Sequence, residues 1–285
     1  MSFNRIEDWD AAYENRAFTP GFETYPPKWQ AAAAAHREAA HAAGRARLAE
    51  PYGPDPRQAY DLFLPAGTPA GLVVIVHGGY WRSLGREDFS HLAAGPAAHG
   101  YAVAMPSYRL APAVSVAEIT SDVATVITAA ARSVAGPILL AGHSAGGHLV
   151  TRMLCAPGPL PGAVAGRIAH VLSVSGLHDL RPLVETDKNA DLRLDPAGAA
   201  AESPALARPQ PGTRLTAWVG GAERPEFIRQ SELIANMWLG LGAETRLVIE
   251  PERNHFSVIE SLAEPEGALT AALLAGRAPA EGAVQ

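Results

Sequence analysis

The chain has 285 residues, of which 48% are hydrophobic and 18% charged, and it contains one cysteine. A chain of this length can bury a large core, and a single cysteine excludes an internal disulfide framework or a multi-thiolate metal site. The net charge of -6 argues against nucleic acid or an anionic membrane as the main partner. We expect a cytoplasmic protein, because the polar N-terminus resembles no signal peptide and no apolar run could span a membrane.

The sequence pattern alternates between strands and helices. Apolar or alternating runs predict strands at residues 57–64, 72–76, 101–106, 137–141, 169–174, 215–219 and 246–249. Composition and spacing predict helices at residues 31–43, 116–132, 148–155, 227–241 and 257–274. This alternation predicts an α/β fold with a mostly parallel central sheet and helices on both faces.

The domain organisation predicted from these elements is simple. Residues 1–50 are predicted to form an arm and a helix that pack on the core, because the arm carries many aromatic residues that would be unusual if exposed. Residues 51–275 are predicted to form the main domain. Within it, residues 185–213 interrupt the alternation and form either a lid between two strands or a disordered loop. The tail, residues 276–285, is expected to be frayed.

The first candidate site is the sequence Gly142-His143-Ser144-Ala145-Gly146, which follows a predicted strand and precedes a predicted helix. A nucleophile elbow needs this context, since its serine occupies a strained turn and both glycines relieve crowding. The helix N-terminus also directs partial positive charge toward the serine. We therefore predict that Ser144 is a catalytic nucleophile.

The second candidate site is His77-Gly78-Gly79-Tyr80-Trp81, at the carboxyl end of the strand at 72–76. Open α/β sheets bind ligands at this end of their strands. The backbone amides of Gly78, Gly79 and Tyr80, with that of Ala145, are predicted to form an oxyanion hole. His77 is expected to shape this loop.

The base and the acid of a triad follow from chain order, since in elbow-containing α/β enzymes the serine precedes the acid and the acid precedes the histidine. His255 lies in the loop after the strand at 246–249, and the other downstream histidines precede the expected acid. No aspartate follows Asp195, so the loop after the strand at 215–219 offers only glutamates, of which Glu223 is the candidate. Asp179, after the preceding strand, is the alternative acid, although it could instead cap a helix.

Several segments together resemble the α/β-hydrolase arylformamidases, also called kynurenine formamidases, and the related small esterases. The segments are Ala12-Tyr13-Glu14-Asn15-Arg16, His77-Gly78-Gly79-Tyr80-Trp81, Gly142-His143-Ser144-Ala145-Gly146-Gly147-His148-Leu149, Pro225-Glu226-Phe227 with Arg229-Gln230-Ser231, and Asn254-His255-Phe256. The similarity covers nearly the whole chain. Members of this family usually carry an aspartate where this chain has Glu223.

The resemblance implies the α/β-hydrolase fold and hydrolysis of N-formyl-L-kynurenine to formate and kynurenine, without a metal or other cofactor. The expected partner is a small amide or ester, and the oligomeric state stays open. A carboxylesterase for short acyl esters is the alternative function, and a non-catalytic hydrolase-fold binding protein is a remote one. An arylamine leaving group needs an aromatic pocket, for which the candidates are Phe22, Tyr25, Tyr80, Trp81 and Trp238. Arg109 is predicted to be a structural ion-pair partner or a ligand for a substrate carboxylate.

Overall fold

The computed structural model describes residues 5–276. Within them the strands are β1 (Ala46–Pro51), β2 (Ala59–Phe63), β3 (Leu72–Val76), β4 (Ala102–Pro106), β5 (Ile138–His143), β6 (Cys155–Ala156), β7 (Ile168–Val174), β8 (Arg208–Pro209), β9 (Arg214–Gly220) and β10 (Glu244–Glu250). The α-helices are α1 (Trp9–Tyr13), α2 (Tyr25–Ala42), α3 (Arg86–Phe89), α4 (Ala94–Ala98), α5 (Val116–Ser133), α6 (Ala145–Arg152), α7 (Gly162–Ala165), α8 (Asn189–Leu192), α9 (Pro196–Ala201), α10 (Pro225–Leu239) and α11 (Ala268–Leu274).

Eight strands form one twisted sheet in the order β1-β2-β4-β3-β5-β7-β9-β10. The pairs β1/β2 and β2/β4 are antiparallel, and every other neighbouring pair is parallel. The carboxyl ends of β3, β5, β7, β9 and β10 therefore meet at one edge, which is where the predicted catalytic residues follow their strands. The expected α/β-hydrolase architecture is confirmed.

The central strands are buried on both faces, as their continuous apolar runs predict. Leu72, Val74 and Val76 of β3 belong to one hydrophobic cluster, whereas Val73 and Ile75 belong to the other. The first cluster includes the buried faces of α5, α6 and α10, and the second includes residues of α2 and α11. Among the described residues, no helix combines the length and the apolar character that crossing a membrane requires.

Local sequence signals explain where several helices begin. Ser115 caps α5 and forms a reciprocal capping box with Glu118. Proline opens α10 and stands in the first turn of α2, where its missing N–H costs no intrahelical hydrogen bond. These helices cover the ranges predicted at 116–132, 227–241 and 31–43, with ends that differ by up to six residues.

The predicted helix at 257–274 is wrong. A 3₁₀ turn at Glu260–Leu262 is followed by turns, and only Ala268–Leu274 is α-helical. Pro265 and Gly267 interrupt the helical pattern, and the Gly267 backbone lies so close to Ser261 that a Cβ there would be 1.8 Å from the Ser261 carbonyl oxygen. The edge strand β1, at residues 46–51, was not predicted.

The segment 185–213 is ordered and built from short elements. It contains α8, α9, a 3₁₀ turn at Pro204–Leu206 and β8, which pairs with β6 through Cys155 and Pro209. The interpretation as a disordered loop is therefore wrong, whereas its role as a lid stays a prediction. The frayed tail predicted at 276–285 lies outside the described residues, except for Gly276.

Candidate active site

The turn between β5 and α6 carries Ser144 in a strained conformation. Its φ of 55° and ψ of -118° are unusual for a residue with a side chain. The chain passes very close to itself here: a Cβ on Gly142 would lie 2.1 Å from the Gly146 carbonyl oxygen, and one on Gly146 would lie 2.0 Å from that of Val76. The two glycines are thus required by backbone contact, and they leave Ser144 at the tip of the turn.

His255 and Glu223 lie together at the same edge of the sheet. The Nδ1 atom of His255 is 2.6 Å from Oε2 of Glu223, and both side chains are buried. The other carboxylate oxygen of Glu223 accepts hydrogen bonds from Ser175 Oγ at 2.5 Å and from the Gly220 amide at 2.8 Å. With both oxygens bound, the carboxylate has a fixed orientation toward the imidazole. His255 and Ser144 line one pocket.

Asp179, the alternative acid, is engaged elsewhere. Its two carboxylate oxygens accept hydrogen bonds from the Arg181 side chain at 2.9 and 2.8 Å. This ion pair lowers the pKa of Asp179 although burial alone would raise it. The structure therefore brings Glu223, and not Asp179, into contact with His255.

The ring of His143, inside the elbow sequence, supports the histidine loop. Its Nε2 atom donates a hydrogen bond to the carbonyl oxygen of His255 at 2.8 Å. Burial, together with the neighbouring His255, holds the pKa of His143 well below its usual value, so its ring is neutral. The aromatic ring of Phe227 lies 4.6 Å from the His255 ring on another side. The sequence pattern carried no signal for either contact.

Hydrogen bonds to two carbonyl oxygens fix the orientation of the peptide groups in the loop after β3. His77 Nδ1 donates to the Gly78 carbonyl at 2.7 Å, and Tyr108 Oη donates to the His77 carbonyl at 3.0 Å. In a trans peptide the N–H points opposite to the C=O, so these bonds fix the directions of the Gly78 and Gly79 amides. Gly79 and Tyr80 have φ angles of 104° and 49°.

The four predicted oxyanion donors have no acceptor within the described part of the chain. Within residues 5–276, the amides of Gly78, Gly79, Tyr80 and Ala145 make no hydrogen bond. Gly78 packs against the elbow, because a Cβ there would lie 2.9 Å from the His143 carbonyl oxygen and 3.0 Å from Ser144 Cβ. These amides are thus available to a ligand beside Ser144.

A pocket of about 900 Å³, including its opening to solvent, lies above this edge of the sheet. Of the five predicted pocket residues, Phe22 and Tyr80 line it. Its aromatic wall also contains Trp29, Phe89 and Phe256, which were not predicted. The rings of Phe22 and Phe256 are 4.7 Å apart, and those of Trp29 and Phe89 are 5.1 Å apart. This wall can accept a flat aromatic group.

Three predicted pocket residues lie elsewhere. Trp81 is fully buried and donates from Nε1 to His148 Nδ1 at 3.3 Å, while Trp238 is buried and donates to the Pro204 carbonyl at 3.1 Å. Their indole N–H groups are satisfied inside the core, so neither tryptophan faces substrate. Tyr25 packs behind Phe256 and is not part of the pocket lining.

Other candidates have structural contacts. The Arg109 guanidinium is held by Asp122 through bonds of 2.9 and 2.7 Å, so it does not reach the pocket. Cys155 is buried, and burial raises the pKa of its thiol. Among the described residues, no group of His, Cys, Asp and Glu side chains is arranged to hold a metal ion.

The N-terminal arm forms one side of the pocket. Tyr80 Oη donates to the Tyr13 carbonyl at 2.5 Å, and Tyr13 Oη donates to Glu226 at 2.7 Å. These bonds anchor the residues that follow, Glu14 and Asn15, in the pocket wall. The arm is therefore part of the site, which the aromatic composition alone could not specify.

Solved structures share this architecture. A protein from Silicibacter sp. TM1040, provisionally named a thioesterase, is 47% identical with a TM-score of 0.89, covering 94% of this chain and 99% of that one. Esterase B from Lactobacillus Rhamnosis is 21% identical with a TM-score of 0.62, covering 88% of this chain and 91% of that one. The second likeness concerns the fold alone.

Enzymes with similar sequences also support a hydrolase. Kynurenine formamidases from Danio rerio and Salmo salar are each 30% identical to this chain. The first match covers 79% of this chain and of the relative, and the second covers 83% and 84%. A model of the alpha/beta hydrolase family matches residues 73–279. The chain therefore belongs to the alpha/beta hydrolase family and is a hydrolytic enzyme related to the kynurenine formamidases.

Proposed function

We propose that this hydrolase cleaves aryl formamides, with N-formyl-L-kynurenine as its substrate, through a triad of Ser144, His255 and Glu223. The observation that carries the proposal is the aromatic wall of Phe22, Trp29, Phe89 and Phe256 in the pocket that Ser144 and His255 also line. A formyl group needs little room on the acyl side, whereas an arylamine needs an aromatic surface. The kynurenine formamidases among the relatives support the same substrate.

In the first half of the reaction, Ser144 Oγ attacks the formyl carbon while His255 Nε2 takes the hydroxyl proton. Glu223 accepts a hydrogen bond from Nδ1–H, fixes the tautomer and stabilises the imidazolium. The carbonyl oxygen becomes an oxyanion, which the free amides of the β3 loop and of Ala145 stabilise. His255 then donates its proton to the arylamine nitrogen, the C–N bond breaks, and a formyl-enzyme remains.

In the second half, water replaces the amine. His255 removes a proton from water, the resulting hydroxide attacks the formyl carbon, and the tetrahedral intermediate is held by the same amides. Return of the proton to Ser144 Oγ breaks the ester bond and releases formate. Each step uses only residues of this chain, substrate and water.

The direct test measures hydrolysis of N-formyl-L-kynurenine by the purified protein and by Ser144→Ala. We expect turnover that Ser144→Ala lowers by about 10³-fold or more, since the residual activity without the nucleophile comes from the oxyanion site and binding alone. Ser90→Ala is a matched control, because Ser90 is buried at the start of a 3₁₀ turn and is not part of the pocket lining. Retention of most activity by Ser144→Ala would reject the mechanism.

An ester or thioester hydrolase is the second candidate, because the same residues can perform either reaction. It is favoured by the 47% identical protein that is provisionally named a thioesterase. Parallel assays with p-nitrophenyl acetate and a short acyl thioester discriminate the two functions. A kcat/KM for the formamide at least ten times that for the ester and for the thioester supports the formamidase function. The reverse order supports the second candidate.

A further inference from the structure

We propose that Lys188 binds an anionic group on the leaving-group side of the substrate, so that the pocket selects aryl substrates that carry a carboxylate. The inference deepens the proposed function and rests on it. It assigns a specificity-determining role to Lys188, which lies in the segment 185–213, outside the proposed triad.

Lys188 lies in the turn between the 3₁₀ helix Arg181–Glu185 and α8 and extends into the pocket lined by Ser144 and His255. Only 9% of its side chain is exposed. Its ammonium is 5.1 Å from the centre of the Tyr80 ring, and Tyr80 belongs to the loop of free amides. The segment 185–213 thus contributes a lysine to the pocket that Ser144 and His255 line.

This ammonium lacks a close acceptor. Lys188 Nζ makes no hydrogen bond within the described part of the chain, and its nearest carboxylate oxygen, Glu14 Oε2, is 3.9 Å away. The other oxygen of Glu14 accepts from the Arg16 amide at 2.7 Å. An ammonium has three donors. Lys188 Nζ is not among the buried side-chain nitrogens without a partner, so its donors stay accessible to an anion that enters the pocket.

Burial lowers the pKa of Lys188, and the neighbouring carboxylates oppose this shift without cancelling it. Arg82 lowers this pKa further, whereas Glu14, Asp10 and Asp187 raise it. Arg82 is itself paired with Asp191 at 2.7 Å. The remaining cation of the pocket wall, Arg16, is exposed and lies over the Phe22 ring. Of these three pocket cations, Lys188 therefore combines a mostly buried side chain with an ammonium that makes no hydrogen bond to the described residues.

A second pocket residue has unused hydrogen-bonding capacity. Asn15 is 6% exposed, its side chain makes no hydrogen bond within residues 5–276, and its Nδ2 atom is buried. Asn15 lines the same pocket as Glu14 and Lys188. An ammonium and an amide in one wall match the oxygens of a carboxylate, which accepts charge-assisted hydrogen bonds. The carboxylate would lie on the part of the substrate beyond the aromatic ring.

The test compares substrates that differ only in charge. The first pair is N-formyl-L-kynurenine and its carboxamide, and the second is the acetate ester of 3-(4-hydroxyphenyl)propanoate and that of its amide. The carboxylate preference is the ratio of the two kcat/KM values in each pair. We expect the wild-type preference to be roughly 10- to 100-fold and Lys188→Met to abolish most of it through KM. Lys188→Arg should keep part of it.

The matched control is Lys28→Met, since Lys28 is the other lysine of the chain and pairs on the surface with Glu260. It should change neither the preference nor the rates. No preference in the wild type, or an equal loss on both members of a pair in Lys188→Met, would overturn the inference. If Lys188→Met does not fold, Lys188→Gln replaces it. Loss of the carboxylate preference in that variant supports the subsite, and an unchanged preference overturns it.

The two pairs separate this inference from the proposed function. A carboxylate preference among the esters without any turnover of the formamides rejects the formamidase function and supports the anion subsite. Turnover of both formamides at equal efficiency supports the formamidase function and rejects the subsite.

Discussion

His255 Nδ1 and Glu223 Oε2 are 2.6 Å apart, and the glutamate completes this contact although it is one methylene longer than an aspartate. Ser175 Oγ and the Gly220 amide donate hydrogen bonds to the opposite oxygen of the glutamate. The carboxylate is thereby bound on both sides before any substrate enters. An acid in this position can orient the imidazole and stabilise its charged form.

Glu223→Gln should lower kcat by about 10³–10⁴-fold, because an amide cannot both accept from Nδ1–H and stabilise the imidazolium. The variant keeps the shape of the side chain, so its thermal midpoint should stay within a few degrees of the wild type. Initial rates and thermal unfolding measured on the same preparation check both expectations.

Asp179→Asn is the control for the acid. It weakens the ion pair between the buried Asp179 carboxylate and the exposed Arg181 side chain and should change kcat by less than about threefold. Full activity in Glu223→Gln together with an inactive Asp179→Asn would transfer the role of the acid to Asp179.

Tyr108→Phe tests the support of the oxyanion loop. The phenol donates to the His77 carbonyl, and its loss frees that peptide to rotate and leaves a buried acceptor unpaired. We expect kcat to fall about tenfold while KM changes less than twofold, because the donors act on the transition state. Steady-state kinetics give both constants.

Tyr52→Phe is matched to this variant, because Tyr52 Oη donates to the Ser107 carbonyl, one residue from Tyr108. It removes a phenol that is partly buried, whereas Tyr108 is fully buried, and it should leave kcat unchanged. Equal losses of kcat in the two variants would show that Tyr108 acts only through stability.

The sequence predicts the sheet and the reacting residues because both depend on local chemistry. Buried strands leave apolar runs such as that of β3, and the elbow needs glycines around Ser144. The chain order of the strands then places Glu223 and His255 at the same edge. The edge strand β1 escaped prediction because it is half exposed, ends in proline and follows directly on an alanine-rich helix.

The pocket wall could not be predicted because it depends on which way large side chains face. Trp238 and Trp29 both lie on helices, yet Trp238 turns into the core and Trp29 lines the pocket. Their sequence contexts contain no signal that distinguishes these directions. The contact of Glu14 and Lys188 joins residues 174 positions apart and likewise follows only from tertiary packing.

Gly146→Ala should destabilise the protein by about 3 kcal/mol and remove activity, because its Cβ would lie 2.0 Å from the Val76 carbonyl oxygen. Both clashing groups are backbone, so β3 or the elbow must move. Gly162→Ala is the control: a Cβ at Gly162, in the short helix α7, meets no atom within 4 Å. Urea unfolding should show a loss only for Gly146→Ala, and equal stability of the two variants would contradict the close approach.

Stability should fall as the pH drops from about 6.5 toward 4, because several histidines are buried as neutral rings. Burial lowers the pKa of His77 and His178 to about 3 and that of His148 to about 4, from an ordinary value of 6.5. Below pH 6.5 the unfolded chain binds protons that the folded protein excludes, so unfolding becomes more favourable. Each such histidine contributes about 1.4 kcal/mol per pH unit until its folded pKa is reached.

The variant His178→Asn removes one of the histidines that bind a proton only when the chain unfolds. Its free energy of unfolding, measured with urea between pH 6 and pH 4.5, should decline less steeply than that of the wild type by about 1.4 kcal/mol per pH unit. His41→Asn, at an exposed position near the end of α2, should leave the wild-type slope unchanged. The direction of the pH effect distinguishes the two cases, because a histidine stabilised in its charged form would raise the free energy of unfolding as the pH falls. A slope in His178→Asn equal to that of the wild type would show that His178 binds its proton in the folded state.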